Sequence, residues 1–442
     1  MRDVDVIVAG GSIAGLAAAA ALREFGKSVL VIEPGQRTDR RLAGELIHPL
    51  GVEGLKELGL FDPDAFKSAV AIQGFAVLPD AGVATSKIKL HYGQRKGTPL
   101  ALALDYSLLR RNLEQATRKL DHVSFVDGGR VSGVDLGDPM IPRVTVEGKD
   151  GTETISCRML IVADGAASPV RAMVGIGHTR RSISTISGYI VESAALPAPN
   201  FGHVIIGGGS VVLAYEIGEG RARVMFDQPL EQDTVASADH RDALLASIPA
   251  PFQQQVAETI RNQKPLSFRS AEVIVDATSK GAVVLVGDAG GSCHPLTATG
   301  MTVGINDGLR LRNALRRHPD DLAAAFAHYD RARRRTQRSR RMVASALHDV
   351  CSRCDPELRL IRSGLLRYWR QDARNASASM AILAMTDLSI SSAFWQFLKV
   401  VRHGLTDYWQ AGHARRVAPT ARLMAGLGTM TIQRMGASLR TR

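Results

Sequence analysis

The residues best suited to chemistry are glycines set beside acids. Gly10-Gly11-Ser12-Ile13-Ala14-Gly15 is followed by Glu33, Asp164-Gly165 stands mid-chain, and Gly287-Asp288-Ala289-Gly290-Gly291 leads through His294 and Pro295 to Gly300 and Met301. Gly10 permits a tight turn, the small Ser12 lets backbone approach a pyrophosphate, and Gly15 lets a helix pack on a strand. Amide groups at that helix's N-terminus then face the anion, and Glu33 can accept hydrogen bonds from a ribose diol. Ser12 replaces the middle glycine of G-x-G-x-x-G, so the approach is slightly looser or the hydroxyl itself meets phosphate. NAD and FAD share this fingerprint, which leaves the dinucleotide open at this point. Asp164 and Gly287-Asp288 offer a related site: a strand-end carboxylate for a ribityl or ribose hydroxyl, with loop amides facing an electron-rich ring.

Each cluster needs a strand to deliver it. Val4 to Ala9, an alanine-rich helical stretch to Phe25, and Ser28 to Ile32 read as a βαβ unit, while Met159–Ala163 and Gly281–Val286 read as buried strands. Between Ile183 and Leu266, apolar and alternating runs separated by glycine read as a sheet that would roof a substrate pocket. Beyond Arg341 the pattern turns helical. Phe394, Phe397, Leu398, Val401, Leu405, Tyr408 and Trp409 recur at helical spacing, with Lys399, Arg402 and His403 on other faces. Such a helix either docks on the catalytic domains or lies on a membrane surface. The expected fold class is α/β (α+β). A Rossmann-like FAD- or NAD-type domain with a parallel sheet takes residues 1–75, 100–175 and 270–340, a β-sheet substrate domain 76–99 and 176–269, and a helical region 341–442.

Composition narrows the classes. The 442 residues are 45% hydrophobic and 22% charged, which suits a globular protein with a real core and excludes a disordered tail protein, a collagen or a coiled coil. Cys157, Cys293, Cys351 and Cys354 form no disulfide framework, and Cys351 and Cys354 lack the βαβ context of a redox motif, so a reducing, cytoplasmic compartment is expected. No metal site is expected either. The net charge of +12 is C-terminal in origin: seven arginines fall between Arg331 and Arg341, and residues 411–442 hold six arginines and no acid. The first run reads as a solvated helix face, and without interleaved aromatics it gives no reason to expect nucleic acid. Neither a signal peptide nor a spanning helix is expected.

GGSIAG, ADG and VGDA, in this order, resemble the three fingerprints of FAD-dependent monooxygenases of the single-domain flavin hydroxylase type. Further stretches resemble the squalene epoxidases within that group: RLAGE at 41–45, Pro49 and LKELGL at 55–60, the GDAGGSCHPLTATGMTV loop, ALHDVCS at 346–352, Asp355, and RYW at 367–369. The resemblance implies that Ile13, Ala14, Glu33, Pro34, Arg41 and Leu46 line the adenosine and pyrophosphate end of FAD. It also implies that Asp288 holds ribityl or pyrophosphate, and that the loop to Met301, with Pro295 and Gly300, faces the isoalloxazine. An arginine in the helix after Leu104 also contacts FAD in the family. Arg110 is the choice here, with Arg111 its competitor, and Arg130 would touch the adenine side through backbone.

Two departures bear on the substrate. Squalene epoxidases carry a hydrogen-bonded glutamine and tyrosine near the flavin; His48 and Phe75 stand at those positions here, so the pair is expected to be lost. The family's GGG before the methionine is Ala298-Thr299-Gly300. The resemblance and its departures together imply epoxidation through a flavin C4a-hydroperoxide on a hydrophobic isoprenoid alkene, squalene-like or carried by a prenylated aromatic. Electrons would come from NADPH or NADH, directly or through a flavin or cytochrome-type reductase. His48 would either meet the oxygenating species or a polar substrate head, or simply pack under FAD, and His294 reads as loop structure. Aromatic-ring hydroxylation or epoxidation of a prenylated quinolone or phenol, saturation of a prenyl chain, and a non-catalytic isoprenoid carrier are the alternatives.

Overall fold

A computed structural model describes residues 2–35, 45–79, 86–93, 100–149, 151–192, 196–206, 210–230, 238–250 and 252–410. Its first sheet is built on the predicted βαβ unit. Arg2–Ala9 pairs in parallel with Val29–Glu33 on one side and Gly151–Val162 on the other. Val123–Asp127 and Val283–Leu285 extend the sheet outward, again in parallel. Val6, Ile7, Val8 and Ala9 are all buried, because helices and strands cover both faces of this sheet.

Small residues decide how the covering helices sit. Every residue of the Ile13–Ala21 helix is buried, and it lies against the Gly300–Arg317 helix at a distance only glycine tolerates. A Cβ at Gly308 would stand 2.8 Å from the Ala17 carbonyl oxygen. The third glycine-rich loop is thereby brought against the first.

The second sheet has seven strands, ordered Leu266–Val275, His178–Glu192, Arg221–Pro229, Val211–Gly218, Gly202–Ile205, Gly74–Leu78 and Ile88–His91. Two helices the sequence reading did not distinguish, Ala238–Ala246 and Phe252–Asn262, interrupt the β-rich stretch. They bury Leu244, Leu245, Phe252, Val256 and Ile260 against the sheet's outer face. The inner face, with Phe75, Val77, Leu90 and Val204, packs on the C-terminal helices.

Those helices begin inside the dinucleotide-binding part. Leu322–Ser352 is one continuous helix across the 340/341 boundary drawn from sequence, followed by Pro356–Gln371, Ala373–Leu383 and Ile390–Gln410. Among the described residues no helix is long and apolar enough to cross a membrane. The last helix turns Phe397, Val401, Leu405 and Tyr408 onto the core, as a docked helix would, and leaves Trp395, Leu398 and Trp409 exposed.

Candidate functional site

The first loop has the shape its sequence promises. Ser12 caps the Ile13–Ala21 helix, its Oγ accepting from Gly15 N–H and donating to the Ala163 carbonyl. At Gly15 a Cβ would stand 2.0 Å from the Gly10 carbonyl oxygen, so the turn admits glycine alone. Glu33 Oε2 accepts from Gly11 N–H at 2.6 Å, while its Oε1 lies 3.3 Å from Arg110 Nη2. Arg110 also donates through Nε to the Gly11 carbonyl at 3.0 Å. Burial raises the Glu33 carboxyl above its ordinary pKa, and the Arg110 guanidinium opposes that rise. Of the two candidate arginines, Arg110 is buried in this group and Arg111 is exposed. Ile13, Ala14 and Leu46 are buried and Pro34 is exposed. Arg41 lies outside the described residues. Arg130 is exposed and directs its side chain to Glu147, so only its backbone is available to the site.

Asp164 behaves differently from a free strand-end acid. Its Oδ2 accepts from Val170 N–H at 2.9 Å and its other oxygen from the Ser168 hydroxyl, and burial pushes its pKa up. The carboxylate is thus spent on capping the short Pro169–Met173 helix. Beside it, fully buried Arg171 bridges the Ala166 and Ala289 carbonyls and ties the second loop to the third.

In the third loop, Gly287 has φ +58° and sits so close to Ala14 that a Cβ would clash with that methyl. Asp288 is exposed, and its carboxylate has no hydrogen-bond donor among the described residues. Two groups missed in sequence hold this loop. Asp307 Oδ2 accepts from Gly287 N–H and from Arg333 Nε, both at 2.9 Å. Arg333, 0% exposed, donates in addition to the Gly287 carbonyl at 2.6 Å and to that of Gly290. Two turns on, Arg340 Nε donates to Thr299 Oγ1 at 2.8 Å. The arginine run is therefore not simply a solvated face: Tyr329, Arg333, Thr336, Arg340 and Ala344 form a buried stripe at helical spacing. That spacing was the available signal.

His48 lies at the meeting point of the parts, 0% exposed, capping the Pro49–Glu57 helix. Its Nε2 stands 2.8 Å from the Thr297 carbonyl and its Nδ1 2.8 Å from the Tyr92 hydroxyl. A carbonyl only accepts, so Nε2 carries the hydrogen and Nδ1 accepts from Tyr92. Burial lowers the imidazole pKa to about 4 and raises the Tyr92 phenol well above its usual range. Both are neutral at pH 7, and both ring nitrogens of His48 are engaged within the protein. His48 is thus hydrogen-bonded to a tyrosine, Tyr92, and not to Phe75. Phe75 itself, 6.1 Å from the His48 ring, lines the adjoining pocket. Three residues before His48, buried Glu45 holds Arg223 of the second sheet through two bonds of 2.9 and 2.6 Å.

The pocket opens between the second sheet, the third loop and the helical region. Phe75, Leu90 and Val204 form one wall, Leu296 and Thr297 a second, and Leu347, Leu366 and Trp369 a third. Pro295 starts the 3-10 turn that carries Leu296 and Thr297, and Gly300 and Met301 open the following helix.

A second cluster adjoins the loop. Asp227 Oδ2 is 3.2 Å from His294 Nε2 and 3.4 Å from His348 Nε2, a group whose spacing suits a metal ion. However, His294 Nδ1 accepts from Leu296 N–H. Its Nε2 therefore carries the hydrogen and donates to the Ser184 hydroxyl at 2.9 Å, leaving no lone pair for a metal. His294 is thus held within the loop by Leu296 N–H and the Ser184 hydroxyl.

Comparison with known proteins points the same way. A family model described as squalene epoxidase matches residues 156–429, well over half of the chain, and one described as an FAD binding domain matches residues 5–43. Squalene monooxygenase of Mus musculus is 26% identical over 393 residues, 87% of this chain and 68% of that protein. A squalene epoxidase of Aspergillus fumigatus is 25% identical, covering 84% and 79%. Among solved structures, p-nitrophenol 4-monooxygenase from Pseudomonas putida shares the fold with a TM-score of 0.70 at 20% identity, over 91% of this chain and 99% of that one.

Proposed function

The chain belongs to the squalene epoxidase family and is an FAD-dependent monooxygenase, and from that premise we propose that it inserts one atom of O2 into an alkene of a hydrophobic isoprenoid. The carrying observation is the apolar pocket closed on one side by Leu296 and Thr297 of the third glycine-rich loop. The balance is alkene plus O2, NAD(P)H and a proton, giving epoxide, NAD(P)+ and water. NADPH or NADH supplies the electrons, and a separate reductase is the proposed intermediary.

The residues present fit FAD: a turn that excludes any side chain at Gly15, an acid and a buried arginine behind it, and an Asp288 carboxylate with no hydrogen-bond donor among the described residues. The Gly10–Gly15 turn would hold the pyrophosphate, with Ile13 and Ala14 at its helix start. Glu33, Pro34, Arg110 and the Arg130 backbone would hold the adenosine side, and Asp288 the ribityl or pyrophosphate. FAD, when bound, supplies the reduction of O2 and the oxygen delivered to the alkene. Amides at the start of the Gly300–Arg317 helix favour negative charge at the ring. Tyr92 and His48 fix the Thr297 carbonyl, and with it the pocket wall that would face the ring. The apolar walls keep water from the reacting double bond. The exposed tryptophans of the last described helix suit a chain working peripherally on the cytoplasmic membrane surface, where oily substrates reside.

The test is aerobic incubation of the FAD-loaded protein with NADPH, a flavin reductase and labelled O2, with squalene and with a farnesylated quinolone in separate vessels. One labelled oxygen gained on a prenyl double bond is the expected mass-spectrometric result. Saturation of the chain without oxygen would replace this reading by a reductase, and no substrate-dependent NADPH oxidation by a carrier.

A further inference from the structure

The two sides of the Leu322–Ser352 helix do different things. Its buried stripe holds the third glycine-rich loop: Arg333 donates to the Gly287 and Gly290 carbonyls, and Arg340 to Thr299 Oγ1. The outward side of the same turns carries Arg331, Arg334 and Arg335, all exposed, with Arg338 and Arg341 half-buried beside them. Two acids temper this face. Asp330 accepts from Arg334 Nε at 2.5 Å, and Glu272 from Arg341 Nε at 3.0 Å. Arg331 and Arg335, by contrast, have no hydrogen-bond or ion-pair partner among the described residues. Their field reaches a neighbour on the helix: burial, and after it Arg317 and Arg331, hold the His328 imidazole below its ordinary range. Unpaired cations one turn apart repel each other, and a face of one sign draws an anionic partner.

What the face lacks narrows that partner. None of the exposed large apolar side chains among the described residues belongs to this helix, so it has nothing to insert into a bilayer. Its Phe326 and Tyr329 are buried, so it offers no aromatic ring for bases to stack on. What lies behind the face narrows it further. The loop held by Arg333 and Arg340 is about one helix diameter inward, on the order of 10 Å, and that loop reads as the wall of the FAD site. We propose that this arginine face is the docking surface for a small acidic electron-transfer protein that reduces the FAD behind it. The inference rests on the monooxygenase reading and its separate electron donor. Each turnover draws two electrons, supplied by two molecules of a one-electron donor, which are oxidised, and taken up by FAD with one proton from solvent. NADPH re-reduces the donor through the donor's own reductase. Attraction between the arginines and the donor's carboxylates sets the encounter rate and weakens with salt.

The probe is reduced flavodoxin, an acidic FMN protein, mixed anaerobically with the FAD-loaded protein while flavin absorbance is followed. Free reduced riboflavin serves as a reductant that needs no docking. Reduction by flavodoxin is expected to slow about tenfold as salt rises from about 20 to about 300 mM, and reduction by riboflavin to change less than about twofold. Arg331→Glu combined with Arg335→Glu alters neither arginine that holds the loop. It is expected to slow flavodoxin about tenfold at low salt and to remove most of the salt dependence, with riboflavin again within about twofold. Arg331→Gln with Arg335→Gln should fall between. No reduction by flavodoxin, a salt-independent rate, an unchanged rate in the Glu variant, or an equal slowing with riboflavin would overturn the proposal. So would loss of phosphatidylserine-vesicle binding in the Glu variant at an unchanged flavodoxin rate, which would give the face to lipid. Labelled-oxygen incorporation driven by a free flavin reductase separates the two readings. Insertion without any arginine effect on flavodoxin retains the monooxygenase and removes the docking face, whereas arginine-dependent reduction without insertion retains the face and removes the alkene reading.

Discussion

Tyr92 donates its hydroxyl hydrogen to His48 Nδ1 across 2.8 Å, and His48 donates in turn from Nε2 to the Thr297 carbonyl at the same distance. The relay is neutral throughout and wholly inside the protein, so it sets the position of a backbone carbonyl on the pocket wall. Tyr92→Phe would leave Nδ1 a buried acceptor without a donor, at a cost of about 1–3 kcal/mol. Turnover is expected to fall roughly tenfold with FAD content intact, since catalytic geometry is sensitive to small displacements. Steady-state kinetics and thermal unfolding read both effects; turnover within twofold of the unmodified enzyme would remove Tyr92 from the site.

Two buried histidines should make the fold acid-sensitive. Burial holds His48 and His203 at about 4, below the ordinary 6.5. The unfolded chain takes up these protons below about pH 6.5 while the folded one does not. Stability from this source is therefore full above that pH and is lost as pH falls towards 4. Each histidine contributes about 1.4 kcal/mol per pH unit across the window, on the order of 3 kcal/mol in all. Denaturant unfolding at several pH values between 7 and 4.5 should show the slope, and His48→Gln should flatten it by one histidine's share. Parallel slopes for the two proteins would mean that His48 titrates normally.

Arg333 and Asp307 hold the third glycine-rich loop from behind, both buried. Arg333→Met leaves Asp307 with Arg310 Nη1 at 3.0 Å and the Gly287 N–H but removes the buried donor of the Gly287 and Gly290 carbonyls, and should cost about 1–3 kcal/mol. Arg333→Lys keeps the charge but cannot reach the Asp307 carboxylate and the Gly287 and Gly290 carbonyls together, because it lacks the planar fork. Melting temperature and FAD occupancy are expected to fall together in Arg333→Met. A fall in melting temperature at full FAD occupancy would make the ion pair a matter of stability alone.

How much of this could be read from the chain depends on how local each feature is. GGSIAG with Glu33 was legible because one turn and its flanking strands are contiguous, and Arg110 because its helix follows directly on a strand. Tyr92 was not, since its partner is chosen by the pairing of Gly74–Leu78 with Ile88–His91. In that register Phe75 faces Leu90, and Tyr92, just past the strand, donates its backbone N–H to Gln73. Asp164 misled because a strand-end acid beside glycine serves a helix cap as well as a ligand. Arg333 and Arg340 were hidden by composition: among seven neighbouring arginines, Arg331 with Arg338 and Arg334 with Arg341 repeat the same seven-residue interval, and only the alignment of Arg333 and Arg340 with Tyr329, Thr336 and Ala344 marks the buried face.

The last described helix presents Trp395 at 63% exposure and Trp409 at 57%, with Leu398, Lys399 and Arg402 exposed alongside, while its opposite side packs on the core. Tryptophan gains most at the boundary between headgroups and acyl chains, and neighbouring cations add attraction to anionic lipid. The protein is therefore expected to sediment with vesicles containing phosphatidylserine, and to do so less at high salt. Replacing Trp395 and Trp409 together by serine should reduce the bound fraction severalfold. Because neither side chain faces the pocket, turnover of a detergent-dispersed substrate should stay within twofold, whereas turnover of vesicle-embedded substrate should fall with binding. Unchanged sedimentation of the double variant would remove this face from membrane association.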